Sequence, residues 1–121
     1  MSKKILVVDD DELVLIAIRE LLTPVGFAVT TSPNGRDALE KTASDQFDLV
    51  ILDVIMPEMD GFEVCQQIRQ IASYAETPVM MLTAKSGEED RQRGLEMGAN
   101  IYLPKPISPK RRIALVEETI K

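Results

Sequence analysis

Residues 49–52, Leu-Val-Ile-Leu, form an apolar run without alternation that stops on Asp53. A strand apolar at every position is covered on both faces, the pattern of a parallel sheet clothed by helices. The residues after it change character abruptly. Met56-Pro57 forces a turn, and Asp60-Gly61 opens a helix with a capping acid. In open parallel sheets, ligands bind outside the carboxyl ends of the strands. Asp53 stands at such an end and is the leading candidate for a reactive carboxylate.

The rest of the chain fits around this strand. Residues 4–8 read as a first strand, stopped by Asp9-Asp10-Asp11. A helix is predicted over 12–23, capped by Asp11, with Val14, Ala17, Ile18, Leu21 and Leu22 facing the core at helical spacing. Pro24-Val25-Gly26 ends it. A second strand over 27–31 leads to Asn34-Gly35, a turn that caps a helix over 36–44 with Ala38, Leu39, Thr42 and Ala43 inward. The third strand, 48–52, is followed by a helix over about 61–72, with Phe62, Val64, Cys65, Ile68 and Ile71 as its apolar positions. A fourth strand is predicted over 79–83, a polar helix over 88–97 closed by Gly98, and a short fifth strand over 101–103. The last helix starts at Ser108-Pro109, where proline suits the first turn. Five strands alternating with five helices predict an α/β fold. It is one domain over residues 1–121, a five-stranded parallel sheet with helices on both faces. Of the two common windings, the strand count favours the flavodoxin-like order 2-1-3-4-5.

Composition narrows the chemistry. The chain has no histidine, which excludes Ser-His-Asp and Cys-His catalysis and imidazole zinc sites within it. The single cysteine, Cys65, precludes an internal disulfide and reads as a core residue. A net charge of −6 gives no basic face for nucleic acid, and Lys110-Arg111-Arg112 is too short a run to supply one. No apolar run approaches the ~18 residues of a membrane span, and the apolar stretch near the start is too short for a signal peptide. A cytoplasmic domain is the simple expectation, with no membrane contact and no direct nucleic acid binding.

Polar groups fall at the ends of the predicted strands. Asp9 and Asp10 follow the first, Asp53 the third and Lys105 the fifth, while Thr83 ends the fourth. In a parallel sheet these ends share one edge. Three carboxylates gathered there repel, and a hard divalent cation relieves the repulsion; Mg2+ suits all-oxygen ligands with several waters retained. Lys105 can bind a phosphoryl oxygen, and Thr83 offers a hydroxyl donor. Metal, lysine and hydroxyl would surround the place where a phosphoryl group on Asp53 develops and keeps charge. Asp53 is therefore read as a phosphate acceptor.

Four motifs, in order and at this spacing, carry a specific resemblance: Leu6-Val7-Val8-Asp9-Asp10, Asp53-Val54-Ile55-Met56-Pro57 through Asp60-Gly61, Leu82-Thr83-Ala84, and Tyr102-Leu103-Pro104-Lys105-Pro106. Over nearly its whole length the chain resembles the receiver domain of bacterial response regulators. The resemblance implies that Asp53 takes a phosphoryl group from a phosphohistidine on a sensor histidine kinase or histidine phosphotransfer protein. It implies that Asp9, Asp10, Asp53 and the Ile55 carbonyl organise Mg2+, and that Thr83 and Lys105 bind phosphoryl oxygens. It further implies a switch in which Thr83 moves toward the phosphoryl group and Tyr102 turns inward behind it, and a cis Lys105–Pro106 bond. Such a domain is no enzyme on external substrates; it catalyses only its own phosphorylation and dephosphorylation. Ile55 and Lys85 stand at positions that tune hydrolysis in this family, and an apolar Ile55 implies a persistent phosphoryl group.

Two surfaces bear on partners. Leu13 and Ile16, neighbours at i,i+3 outside the expected core stripe, are either scattered surface apolars or a docking patch for the phosphodonor. Leu15 also lies outside that stripe. Residues 90–99 resemble receivers joined to winged-helix DNA-binding domains, whose phosphorylation-dependent dimer uses charges on the fourth and fifth helices. Those receivers carry acids where Asn100, Ile101 and Arg111 stand here, which weighs against that mode of dimerisation. The output partner or effector domain is not legible. Two other readings fit less well. A haloacid-dehalogenase-type phosphatase needs a second aspartate where Ile55 stands. A non-phosphorylated interaction module leaves the complete acid, threonine and lysine set without a purpose.

Overall fold

The computed structural model describes residues 2–120; Met1 and Lys121, the ends of the expected domain, lie outside the described residues. The strands are β1 (Lys4–Val8), β2 (Ala28–Ser32), β3 (Leu49–Leu52), β4 (Val79–Thr83) and β5 (Ile101–Pro104). The helices are α1 (Glu12–Leu22), α2 (Gly35–Ser44), α3 (Gly61–Arg69), α4 (Glu88–Glu96) and α5 (Pro109–Ile120). All strand pairs are parallel and the sheet order is β2-β1-β3-β4-β5, the winding expected from the sequence.

The period of two along each strand sorts the core into two halves. Ile5, Val7, Leu49, Ile51, Met80 and Leu82 pack under α1 and α5. Leu6, Val8, Val50, Leu52, Val79 and Met81 face the opposite side, under α2 and α3 with Tyr102. Every residue of β3 is buried, which is why its sequence shows no alternation. Helix starts follow their capping side chains. Asp11, Asn34 and Asp60 accept from the backbone N–H groups of Leu13, Asp37 and Glu63.

Three local expectations are corrected. On α1 the buried positions are Leu15, Ile18 and Leu22, whereas Ala17 is exposed and Val14 and Leu21 are half-buried. Residues 13–18 are apolar all round, so helical spacing alone admits more than one rotation; contact with the sheet selects the stripe through Leu15. On α2, Thr42 is buried and Ala43 exposed. The third helix stops at Arg69 rather than near 72, and Ala72–Tyr74 forms a separate 3-10 turn. The cause lies in side-chain bonds. The Arg69 guanidinium donates to the carbonyls of Tyr74 (2.7 Å) and Gly98 (2.8 Å) and to Asn100 Oδ1 (2.8 Å), drawing the chain after the helix across to the segment before β5.

Tyr74, to which the sequence reading gave no role, is fully buried. Its hydroxyl donates to the Asp45 carbonyl at 2.6 Å and accepts from the Phe47 N–H at 3.0 Å. It fastens the segment leading into β3 to the 3-10 turn. Replacing Tyr74 by Phe leaves a buried N–H without its acceptor, so Tyr74→Phe is expected to lower unfolding free energy by about 1–3 kcal/mol. Urea denaturation reads this; an unchanged midpoint would mean that neither bond matters.

Candidate functional site

Asp9, Asp53 and Lys105 each stand one residue beyond a strand, and each still donates its backbone N–H to the neighbouring strand. The acceptors are Ser32 O (3.1 Å), Val8 O (3.0 Å) and Thr83 O (2.7 Å) respectively. The sheet ladder therefore fixes the three backbones before any side-chain contact is made. A Cβ at position 61 would run into the Asp53 carbonyl, so glycine there lets α3 start directly against the strand end that carries Asp53.

The side chains converge as the strand ends require. Carboxylate oxygens of Asp9, Asp10 and Asp53 all lie within 4.8 Å of one another. Asp9 and Asp53 are buried, at 3% and 8% exposure, while Asp10 is open to solvent. Lys105 Nζ donates to Asp9 Oδ2 at 2.8 Å and lies 3.6 Å from Asp53 Oδ2. The remaining oxygens are partly engaged: Asp9 Oδ1 accepts from the Asp11 N–H (2.9 Å) and Asp53 Oδ1 from the Ile55 N–H (3.3 Å). Ile55 itself projects outward, 48% exposed at the rim. The Lys105–Pro106 peptide is cis.

Burial raises the Asp53 pKa above the ordinary carboxylate value. Lys105 pulls it back, Asp9 adds repulsion, and the Ile55 N–H and Thr83 hydroxyl favour the ionised form. Burial also works against the Lys105 ammonium, but its bond to Asp9 and the charges of Asp53 and Asp9 outweigh this and hold its pKa above the usual one. The cluster is thus three acids against one close cation. This donor set fits a hard divalent ion: all ligands are oxygen, one flank is open, and the charge excess is negative.

Thr83 and Tyr102 lie behind the acids and are linked through Lys85. The Lys85 N–H donates to Thr83 Oγ1 at 3.2 Å, and the Tyr102 hydroxyl donates to the Lys85 carbonyl at 2.6 Å. Tyr102 is buried, its ring seated on Gly94 of α4, where a Cβ would meet the ring at 2.7 Å. The role of Lys85 as the connector rests on its backbone, so its side chain gave no signal. Gly94 did give one: a glycine inside a helical pattern often marks a close approach.

The two proposed docking residues are both exposed, Leu13 at 75% and Ile16 at 44%. They border different grooves. Leu13 shares one with Lys105, Pro106 and Ile107, whereas Ile16 shares another with Asp10, Arg19 and Pro33. Cys65 is buried, burial pushes its thiol up to about 11, and its Sγ faces the Met97 carbonyl at 3.4 Å, so it is a packing residue.

Comparison with known proteins bears on the family and the fold. A family model described as the response regulator receiver domain matches residues 5–117. The chain is 43% identical over 121 residues to the alkaline phosphatase synthesis transcriptional regulatory protein PhoP of Bacillus subtilis, covering all of this chain and 50% of that protein. It is 40% identical to the response regulator MprA of Mycobacterium tuberculosis, again over all of this chain and 52% of the relative. The chain therefore spans about half the length of the curated relatives it matches. Among solved structures, the chemotaxis protein CheY4 of Vibrio cholerae superimposes with a TM-score of 0.94 at 34% identity, over 98% of this chain and 99% of that one. DrrB, a Thermotoga maritima OmpR/PhoB homologue, gives 0.87 at 37% identity, over 98% of this chain and 52% of that one. The family model and these likenesses span nearly the whole chain, and the chain belongs to the response regulator receiver domain family.

Proposed function

We propose that Asp53 is the phosphoacceptor of a two-component system and that residues 1–121 form its receiver domain, working in the cytoplasm. The observation that carries this is Asp53 itself, a nearly buried carboxylate at a strand end, 3.6 Å from Lys105 Nζ and grouped with two further acids. In the reaction, an Asp53 carboxylate oxygen forms a bond to phosphorus as the bond from phosphorus to a partner's histidine nitrogen breaks. Asp9, Asp10, Asp53 and the Ile55 carbonyl would hold Mg2+. When bound, the ion supplies charge stabilisation for the transferring group and offsets the repulsion among the acids. Lys105, freed in part from Asp9, binds one phosphoryl oxygen, and Thr83 donates its hydroxyl to another.

Thr83 then leaves the Lys85 N–H, and the contact from Lys85 to Tyr102 passes that movement to α4, β5 and α5. That surface is the proposed output, changing the affinity for a partner or for an effector domain beyond the receiver. The curated relative PhoP is called a transcriptional regulatory protein, which favours an effector that acts on transcription, with dimerisation as one route. Leu13 and Ile16 are the proposed contact for the histidine kinase or phosphotransfer protein.

Incubation with acetyl phosphate and Mg2+ is expected to add one phosphoryl mass to the native protein and none to Asp53→Asn, with no adduct after chelation by EDTA. Native protein that stays unlabelled beside a labelled control receiver would overturn the reading. The exposed apolar side chain of Ile55 cannot orient an attacking water by hydrogen bonding. Ile55→Asn is therefore expected to shorten the lifetime of the phosphoryl group severalfold, measured as loss of the mass adduct; equal decay would remove Ile55 from the account.

A further inference from the structure

The end of β2 carries a polar cluster that the phosphoryl chemistry does not use. Ser32, the last residue of β2, is fully buried. Its hydroxyl donates to Asp37 Oδ2 at 2.6 Å, with the Asn34 carbonyl farther off at 3.1 Å. Asp37 Oδ2 also pairs with Lys41 Nζ at 2.8 Å, one turn along α2. The same ammonium donates to the Thr31 carbonyl at 2.6 Å. The bonds from Lys41 and Ser32 hold the Asp37 carboxyl below its ordinary pKa. Asp37 is itself fixed by the helix cap, because its N–H donates to Asn34 Oδ1 at 2.8 Å.

This cluster sits on the strand that holds Asp9. Asp53 donates its backbone N–H to β1 and Lys105 donates to β4, both interior strands. Asp9 donates to the Ser32 carbonyl of β2, an edge strand. An edge strand has a neighbour on one side only and presents unpaired carbonyls on the other. Pro33 follows directly and has no N–H to extend the ladder. Of the three residues, Asp9 therefore hangs on the least supported strand. Helix α2 supplies what the sheet does not. Asp37 takes the Ser32 hydroxyl and Lys41 takes the Thr31 carbonyl, so the last two residues of β2 are each tied to the helix. The Asp37–Lys41 pair is neutral as a unit, so it acts on Asp9 through geometry rather than by adding charge to the acid edge. Asp9 has little room to adapt. It is 3% exposed, and its two oxygens are engaged by the Asp11 N–H and by Lys105.

We infer that Ser32, Asp37 and Lys41 are positioning residues: they lock the end of β2 and, through the Ser32 carbonyl, set where the Asp9 carboxylate meets the divalent ion. This rests on the reading of Asp9, Asp10 and Asp53 as ligands of that ion. Groups that bond directly to a metal's ligands typically change its affinity by about ten- to a hundredfold. Ser32 and Asp37 act one bond further out, through a backbone carbonyl, so a weakening of about three- to tenfold is expected.

Titration calorimetry of Mg2+ into the whole chain, with no phosphodonor present, tests this. Ser32→Ala removes the hydroxyl without changing charge. Asp37→Asn combined with Lys41→Met removes the pair and leaves net charge unchanged. Both proteins are expected to show a Mg2+ Kd raised about three- to tenfold. Both should also exchange the Asp9 amide hydrogen faster relative to that of Asp53. Thr42→Ala is the control. Its buried hydroxyl is also on α2 but bonds within the helix, to the Leu39 carbonyl at 2.9 Å. It is expected to lower the melting temperature and keep the native Kd. A native Kd in either Ser32→Ala or the double variant would overturn the role given to α2 and leave the cation site intact. So would a Kd raised equally in Thr42→Ala, which would mark a general loss of stability. Native protein that binds no Mg2+ would instead overturn the reading of the three acids as a cation site, and the role of α2 with it.

Discussion

The structure depends on a repulsion built into one edge of the sheet. Parallel strands carry their carboxyl ends to the same side, and ladder bonds from Asp9, Asp53 and Lys105 hold those ends in register. Two of the acids are nearly buried and a third stands beside them. At separations of a few ångströms in a medium less polar than water, such like charges cost several times what they would cost in solvent. Lys105 offsets part of this, and the raised pKa of Asp53 is what burial leaves over after that pairing. The folded state holds that proton more tightly than the unfolded state does. Stability is therefore lost as pH rises through the carboxylate range up to the folded pKa of Asp53, and is regained when a cation or another group neutralises the edge.

On the proposed function, this tension is what would make the site responsive. Lys105 has two carboxylate partners at unequal distances, so a new negative group on Asp53 can draw it across without breaking the fold. Behind the acids, Thr83 and Tyr102 do not touch each other. They are tied to the two ends of one peptide residue, Lys85, by its N–H and its carbonyl. A change in the Thr83 bond therefore reaches the tyrosine through the backbone. Gly94 keeps the space that the inward ring needs.

Much of this was legible in the sequence, for a definite reason. Unbroken apolar strands that end on polar residues specify both the sheet type and the edge where ligands bind, so Asp9, Asp10, Asp53, Thr83 and Lys105 could be placed together before any coordinates. Capping side chains behaved likewise: Asp11, Asn34 and Asp60 cap the helices they precede. What could not be read was whatever tertiary contact decides. The face of α1 was misassigned at Leu15 and Ala17 because an apolar helix surface has no unique inward stripe. Tyr74 and Arg69 act by side-chain bonds to distant backbone carbonyls and amides, and Lys85 acts through its own backbone; backbone partners leave no pattern in side-chain identity. Arg112 looked like one member of a solvated cationic run; only its packing beside α1 sets it apart.

The central claim is that the carboxylate edge is a strained assembly that a divalent cation completes. Thermal melting of native protein and Asp53→Asn, each with and without magnesium chloride, tests it most directly. The account predicts that without the ion the variant melts above the native protein, because one buried like charge is gone. It predicts that magnesium raises the native melting temperature, with about 1.4 kcal/mol of stabilisation at ten times its Kd, and raises the variant's much less. A native protein indifferent to magnesium, together with a variant that melts lower, would contradict it.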